Sequence, residues 1–148
     1  MADSGVLYGR SVLIDSSAAI ALLDGRDQFH REAKAFFESA RSLSWCAIDV
    51  TSHEAFTRVR YGLGLTAGLA HFDFLRADPI TLLDFSREDE HRARQILVKF
   101  EDQKLSFHDA LCAAIMKRRG IYRVFSFDRD FWILGFQVEP GVTAAGTA

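Results

Sequence analysis

Little in this chain of 148 residues suits a membrane, a secreted scaffold or a polyanion-coating protein. No apolar run approaches the roughly 20 residues needed to cross a bilayer, which excludes a spanning helix. The first residues, Met1-Ala2-Asp3-Ser4-Gly5, carry neither the basic nor the apolar stretch of a secretory leader. Cysteine is scarce. Cys46 and Cys112 lie in apolar surroundings, without CxxC pairing and without a histidine at zinc spacing. That excludes a disulfide framework and predicts reduced core thiols in a cytoplasmic protein. No two histidines stand at transition-metal spacing either. Excess positive charge is also missing: 18 basic residues face 20 acidic ones, for a net charge of -2. A protein that grips nucleic acid by bulk electrostatics alone is thereby excluded, although a local cluster of arginines is not. No internal repeat or linker is visible.

What is present is an ordinary globular composition, 49% hydrophobic and 26% charged, long enough for one domain with a substantial core. The chain alternates between strand-like and helix-like segments. Strands are predicted over 11–14, 44–48, 80–83 and 123–127, with a short fifth over 136–138. Helices are predicted over 16–23, 27–40, 52–61, 66–75, 87–100 and 107–119. Thirteen phenylalanines, with Trp45 and Trp132, read as core or rim filling. This order implies an α/β fold with a mainly parallel central sheet of four or five strands and helices on both faces. The domain is expected over 11–138, with loosely held tails over 1–10 and 139–148.

Acidic residues recur where a strand or loop gives way to a helix. Asp15 ends Val12-Leu13-Ile14-Asp15-Ser16-Ser17, and Asp128 ends Val124-Phe125-Ser126-Phe127-Asp128. Glu54 and Asp109 sit in Thr51-x-x-Glu54 and Ser106-x-x-Asp109. Each of these last two matches a helix capping box, in which the acid reaches back to a backbone N–H, so any one acid alone reads as a cap. As a set they read differently. In open α/β sheets ligands bind at the carboxyl edge of the strands, and several carboxylates gathered there repel unless a divalent cation holds them. Oxygen donors of this kind suit Mg²⁺ or Mn²⁺, and such a site points to chemistry on phosphate esters. Asp130 is expected to point away from the cluster. His108 is expected at the surface or in contact with substrate.

These residues resemble the PIN-domain ribonucleases over about residues 11–138. The correspondence runs through Ile14-Asp15-Ser16-Ser17, Ser52-His53-Glu54-Ala55-Phe56, Ser106-Phe107-His108-Asp109-Ala110-Leu111 and Ser126-Phe127-Asp128-Arg129-Asp130-Phe131. Each motif is short, but their order and spacing together are specific. The layout looks most like the toxin nucleases of bacterial VapBC-type toxin–antitoxin pairs. The resemblance implies a PIN-like three-layer sandwich and an endoribonuclease that cleaves RNA with Mg²⁺ or Mn²⁺. It also implies a homodimer silenced by a small antitoxin protein.

On this reading Asp15 and Asp109 are the core metal ligands, and Glu54 and Asp128 complete the catalytic cage. Ser126 and Ser16 orient carboxylates or water by hydrogen bonds. Arg129, Lys117 and Arg118 are expected to grip the RNA backbone. Exposed apolar residues such as Phe56, Leu63, Leu69 and Phe72 are expected at the dimer face. Two other classes compete: a Mg²⁺-dependent phosphatase of the haloacid-dehalogenase type, and a catalytically inert binding module on the same fold. The phosphatase needs a second acid two residues after the first, where Ser17 stands instead.

Overall fold

The computed structural model describes residues 9–141. Five strands, β1 (Ser11–Ile14), β2 (Ser44–Ile48), β3 (Thr81–Leu83), β4 (Arg123–Phe125) and β5 (Gln137–Glu139), form one sheet in the order β3-β2-β1-β4-β5. Every neighbouring pair is parallel. The helices are α1 (Ser16–Leu23), α2 (His30–Ser39), α3 (Asp49–Leu63), α4 (Leu65–Phe74), α5 (Arg87–Lys99), α6 (Phe107–Arg119) and α7 (Asp130–Ile133), with a 3-10 turn at Glu101–Gln103. The expected α/β sandwich is therefore the fold. α7 was not anticipated. Most of the expected tails, 1–8 and 142–148, lies outside the described residues, while Glu139 is part of β5 and accepts from Arg123 at 3.0 Å. Among the described residues no helix is long and apolar enough to cross a membrane.

Parallel strands need crossover connections, so helices cover both faces and the strands read as continuous apolar runs. Successive side chains then enter opposite cores. Leu13, Cys46 and Val124 are in register and join the core beneath α5 and α6, with Ala110, Ala113, Ile115 and Phe131. Val12, Ile14, Trp45 and Phe125 join the other, with Ala18, Ala33 and Leu75. Phe36 and Phe37 pack against Trp45 at ring separations of 5.7 and 4.8 Å, which seats α2 on that face. The phenylalanines are thus mostly core, as expected, whereas Trp132 is exposed.

The strand order places the site. The chain moves outward from β1 to β2 to β3, then returns to lay β4 on the other flank of β1. Connections leave β1 and β4 in opposite directions, and a crevice opens between their carboxyl ends. Asp15 follows β1 immediately, and Ser126 to Asp128 follow β4.

Candidate active site

Asp15 occupies the position before α1, where a side chain normally caps the helix, but it makes no capping hydrogen bond. Its Oδ2 instead accepts from Ser17 Oγ at 2.8 Å and from Ser126 Oγ at 2.9 Å. Ser126 in turn accepts from the Asp128 backbone N–H at 2.9 Å, and Ser17 from the Phe127 N–H at 3.0 Å. These bonds tie the end of β1 to the turn after β4. One oxygen of Asp15 is held, and the other faces the crevice.

Glu54 enters from α3, where its Oε2 accepts from Ser16 Oγ; Arg58, one turn further on, donates to the same hydroxyl at 3.1 Å. Asp109 lies in the first turn of α6, whose cap is Ser106, accepting from the Asp109 N–H at 3.0 Å. That half of the sequence pattern is a cap through Ser106, while the Asp109 carboxylate lines the acidic cavity rather than closing a capping box. The other half is not a cap. α3 starts at Asp49, so Thr51 lies inside it and its hydroxyl contacts His108 Nε2 at 2.8 Å.

Two groups of donor atoms result, each within 4.8 Å of one another: Asp15, Glu54 and His108, and Asp109, Asp128 and Asp130. All five carboxylates line one cavity of about 330 Å³, together with Ser16, Arg58, Lys104 and Ser106. Asp130 therefore does not point away. The turn Asp128-Arg129-Asp130 folds so that Asp128 Oδ1 accepts from the Asp130 N–H at 2.9 Å, and α7 begins there, aiming both side chains inward.

His108 differs from expectation too. It is buried, with Nδ1 3.4 Å from both Glu54 and Asp109 and 3.9 Å from Asp15. Burial opposes an imidazolium there, but Cys112 and the carboxylates of Asp109 and Asp15 outweigh it and raise the pKa above the usual histidine value. The ring Nδ1 thus lies within 4 Å of three of the five carboxylates.

The electrostatics mark the site as under-compensated. Burial pushes Asp128 up to about 6, helped by Asp109, Asp130 and Asp15 against the lowering effect of the Asp130 N–H. Asp130 is raised as well, by burial and then by Asp109. Carboxylates that raise one another's pKa around one cavity form a donor set that a divalent cation could hold. Their chemistry, hard oxygens with one imidazole nitrogen, fits Mg²⁺ or Mn²⁺.

The three basic residues expected to grip the RNA backbone divide. Arg129 borders the crevice beside Asp128. Lys117 and Arg118 do not approach it: eight residues at about 1.5 Å rise put Lys117 about 12 Å along α6 from Asp109. Arg118 is held there by Asp89, with bonds of 2.7 and 2.9 Å. Arg58 and Lys104 line the acidic cavity in their place. Arg58 was visible as a basic residue one turn after Glu54, but nothing local signalled Lys104, which turns in from the loop before α6 with a left-handed backbone (φ 51°).

A family model for the PIN domain matches residues 12–136. The chain is 27% identical over 130 residues to the 23S rRNA-specific endonuclease VapC20 of Mycobacterium tuberculosis, covering 87% of this chain and 98% of that relative. The crystal structure of that VapC20, described as a sarcin-ricin loop cleaving toxin, superposes with a TM-score of 0.80 at 25% identity, over 84% of this chain and 95% of the other. A DNA-bound VapBC complex from Salmonella typhimurium matches in fold, with a TM-score of 0.63 at 18% identity, over 87% of this chain and 96% of the other.

Proposed function

Since the chain belongs to the PIN-domain family, we propose that it is a Mg²⁺- or Mn²⁺-dependent endoribonuclease of the cytoplasm. We assign it as the toxin of a toxin–antitoxin pair, silenced by a small antitoxin protein. The observation that carries the reading is the meeting of Asp15, Glu54, Asp109, Asp128 and Asp130 in one cavity at the β1–β4 crevice. Relatives that cleave 23S rRNA, and a neighbour solved as a VapBC complex, support the choice of RNA and of an antitoxin. The matched VapC20 acts on the sarcin-ricin loop, which makes a large structured RNA the first substrate to test.

Asp15 and Asp109 are the core ligands, with Glu54 and Asp128 completing the set and Asp130 joining it from α7. A cation bound there would neutralise the scissile phosphate and lower the pKa of an attacking water. The protein's own groups do the rest. Ser17 and Ser126 hold Asp15 in one orientation, Ser16 holds Glu54, and Arg58 and Lys104 attract the phosphodiester into a cavity that is otherwise negative. His108 stands between Glu54 and Asp109, 3.4 Å from each, and would offer a nitrogen to the same set. The phosphatase alternative lacks its second acid: Ser17 stands in its place and donates to Asp15.

Leu63, Leu65 and Leu69 are 39–50% exposed on the α3–α4 hairpin, while Phe56 and Phe72 are partly covered. Phe56 is covered by the close approach of Gly68, where an added Cβ would stand 3.1 Å from its ring. The leucines form the face of a homodimer, and light scattering that finds a strict monomer at high micromolar concentration would rule this out.

The decisive assay incubates the purified protein with ribosomal RNA and Mn²⁺, beside an EDTA control and a chromogenic phosphomonoester. RNA should be cut at discrete positions only with metal, and the phosphomonoester hardly at all. Robust phosphomonoester turnover with intact RNA would reject the nuclease assignment.

A further inference from the structure

A second cavity adjoins the acidic one. It measures about 430 Å³ and is bordered by Ile20, Gln28, Phe29, Arg58, Phe127 and Arg129, with Ser17, Asp128 and Asp27, whose carboxylate accepts from the Phe29 N–H. Arg58 and Asp128 line both spaces, so they form the partition between them. The geometry points to a nucleotide subsite: this cavity takes the base of a nucleotide next to the scissile phosphate and gives the nuclease its sequence preference. The inference rests on the nuclease reading above and deepens it.

Four observations carry it. A phosphodiester reaching the carboxylates must place its flanking nucleotides in the spaces beside them, and this cavity opens directly across the Arg58–Asp128 partition. Its guanidiniums suit an anionic backbone: Arg58 stands at the partition, and Arg129 is exposed at the rim. Its interior offers apolar and aromatic surface. Phe29 and Phe127 stack at 4.6 Å with an interplanar angle of 4°, both partly exposed, and Ile20 supplies an aliphatic wall. Finally, it offers a hydrogen-bonding edge. Gln28 is exposed beside the aromatic pair with both a donor and an acceptor on its amide.

Phosphate contacts position a nucleic acid, whereas base contacts specify it, and single-stranded RNA bases are read by stacking and edge hydrogen bonds. The acidic cavity has charge but no apolar or aromatic lining, so it cannot distinguish bases. The neighbouring cavity has both kinds of contact. The turn after β4 builds the two together, because Asp128 is a site acid and Phe127 and Arg129 border the subsite.

The test uses a pool of short RNAs randomised around the cut, with wild-type protein, Gln28→Ala and Ile20→Trp, in Mn²⁺. Wild type should favour one nucleotide, or one class of purine or pyrimidine, beside the cut by about tenfold or more in kcat/KM. Gln28→Ala, an exposed change, should flatten that preference to about twofold by lowering kcat/KM for the favoured RNA toward that for the disfavoured ones. Ile20→Trp should fill the space and weaken KM for the favoured RNA more than for the disfavoured ones. A flat wild-type profile, or an unchanged profile in Gln28→Ala, would overturn the subsite while leaving the nuclease intact. Absence of metal-dependent cleavage by wild type itself would overturn the nuclease reading instead.

Discussion

Two buried acidic sites in this molecule behave in opposite ways. Asp89 is wholly inaccessible, yet every demand of its carboxylate is met inside the chain. It takes two bonds from Arg118 and closes a capping box with Ser86 at the start of α5. The Arg118 hydrogen bonds, and Ser86 behind them, outweigh burial and hold its pKa below the usual carboxylate range. At the β1–β4 crevice five carboxylates face one another, with His108 and Arg58 as the nearest compensation, and Asp128 and Asp130 are driven upward. The first arrangement completes the fold. The second gathers like charges that a divalent cation would stabilise, and that contrast is what the proposed metal site rests on.

The contrast can be broken from either side. The largest effect is expected at the crevice. Asp15→Asn and Asp109→Asn should each lower metal-dependent RNA cleavage by about 100-fold or more, as removal of a ligand requires. Both should fold, and in EDTA their melting temperatures should equal or exceed wild type, because a repulsive charge is gone. Near-normal cleavage by either at saturating metal would remove that residue from the ligand set.

Asp89→Ala should do the reverse. Losing the pair and the cap should cost about 2 kcal/mol of stability, read by urea denaturation, while cleavage per folded molecule stays at the wild-type level. A variant as stable as wild type would show that Asp89 is not structurally needed.

A third and smaller effect is pH-dependent. Asp128 rises from 3.8 in the unfolded chain to about 6 in the fold. The folded state therefore binds more protons between these values, and stability falls as pH rises through that window. Metal-free protein should melt higher at about pH 5 than at about pH 7.5 on this account, and Asp128→Asn should flatten the difference. Since a cation needs the ionised form, Mn²⁺ affinity should fall as pH drops below about 6. Calorimetric titration at the two pH values checks this, and equal affinity would contradict it.

The smallest effect is expected from Lys117→Ala. This residue lies at the far end of α6, so RNA affinity at the crevice should change by less than about twofold. Arg129→Ala, at the rim, should weaken binding and flatten its salt dependence by roughly one phosphate contact. If Lys117→Ala had the larger effect, the backbone path inferred from the crevice would be wrong.

The sequence by itself determined the alternation of strands and helices, because apolar runs with period 2 or 3.6 are local and burial on both faces leaves parallel strands little choice of composition. The ends of β1 and α1 could be read to the residue. It also put Asp15, Glu54, Asp109 and Asp128 forward as the candidate site acids, and the fold gathers all four in one cavity. Tertiary structure alone decided which neighbours join them. Asp130 turns inward because the Asp128 carboxylate accepts its N–H and starts α7. His108 is buried where the first turn of α6 meets Thr51 and Glu54 of α3. Lys117 and Arg118 are close in sequence but a helix length away. The order of strands around β1 is set by long-range pairing, and it is this order that brings residues more than a hundred positions apart, such as Asp15 and Ser126, within hydrogen-bonding distance.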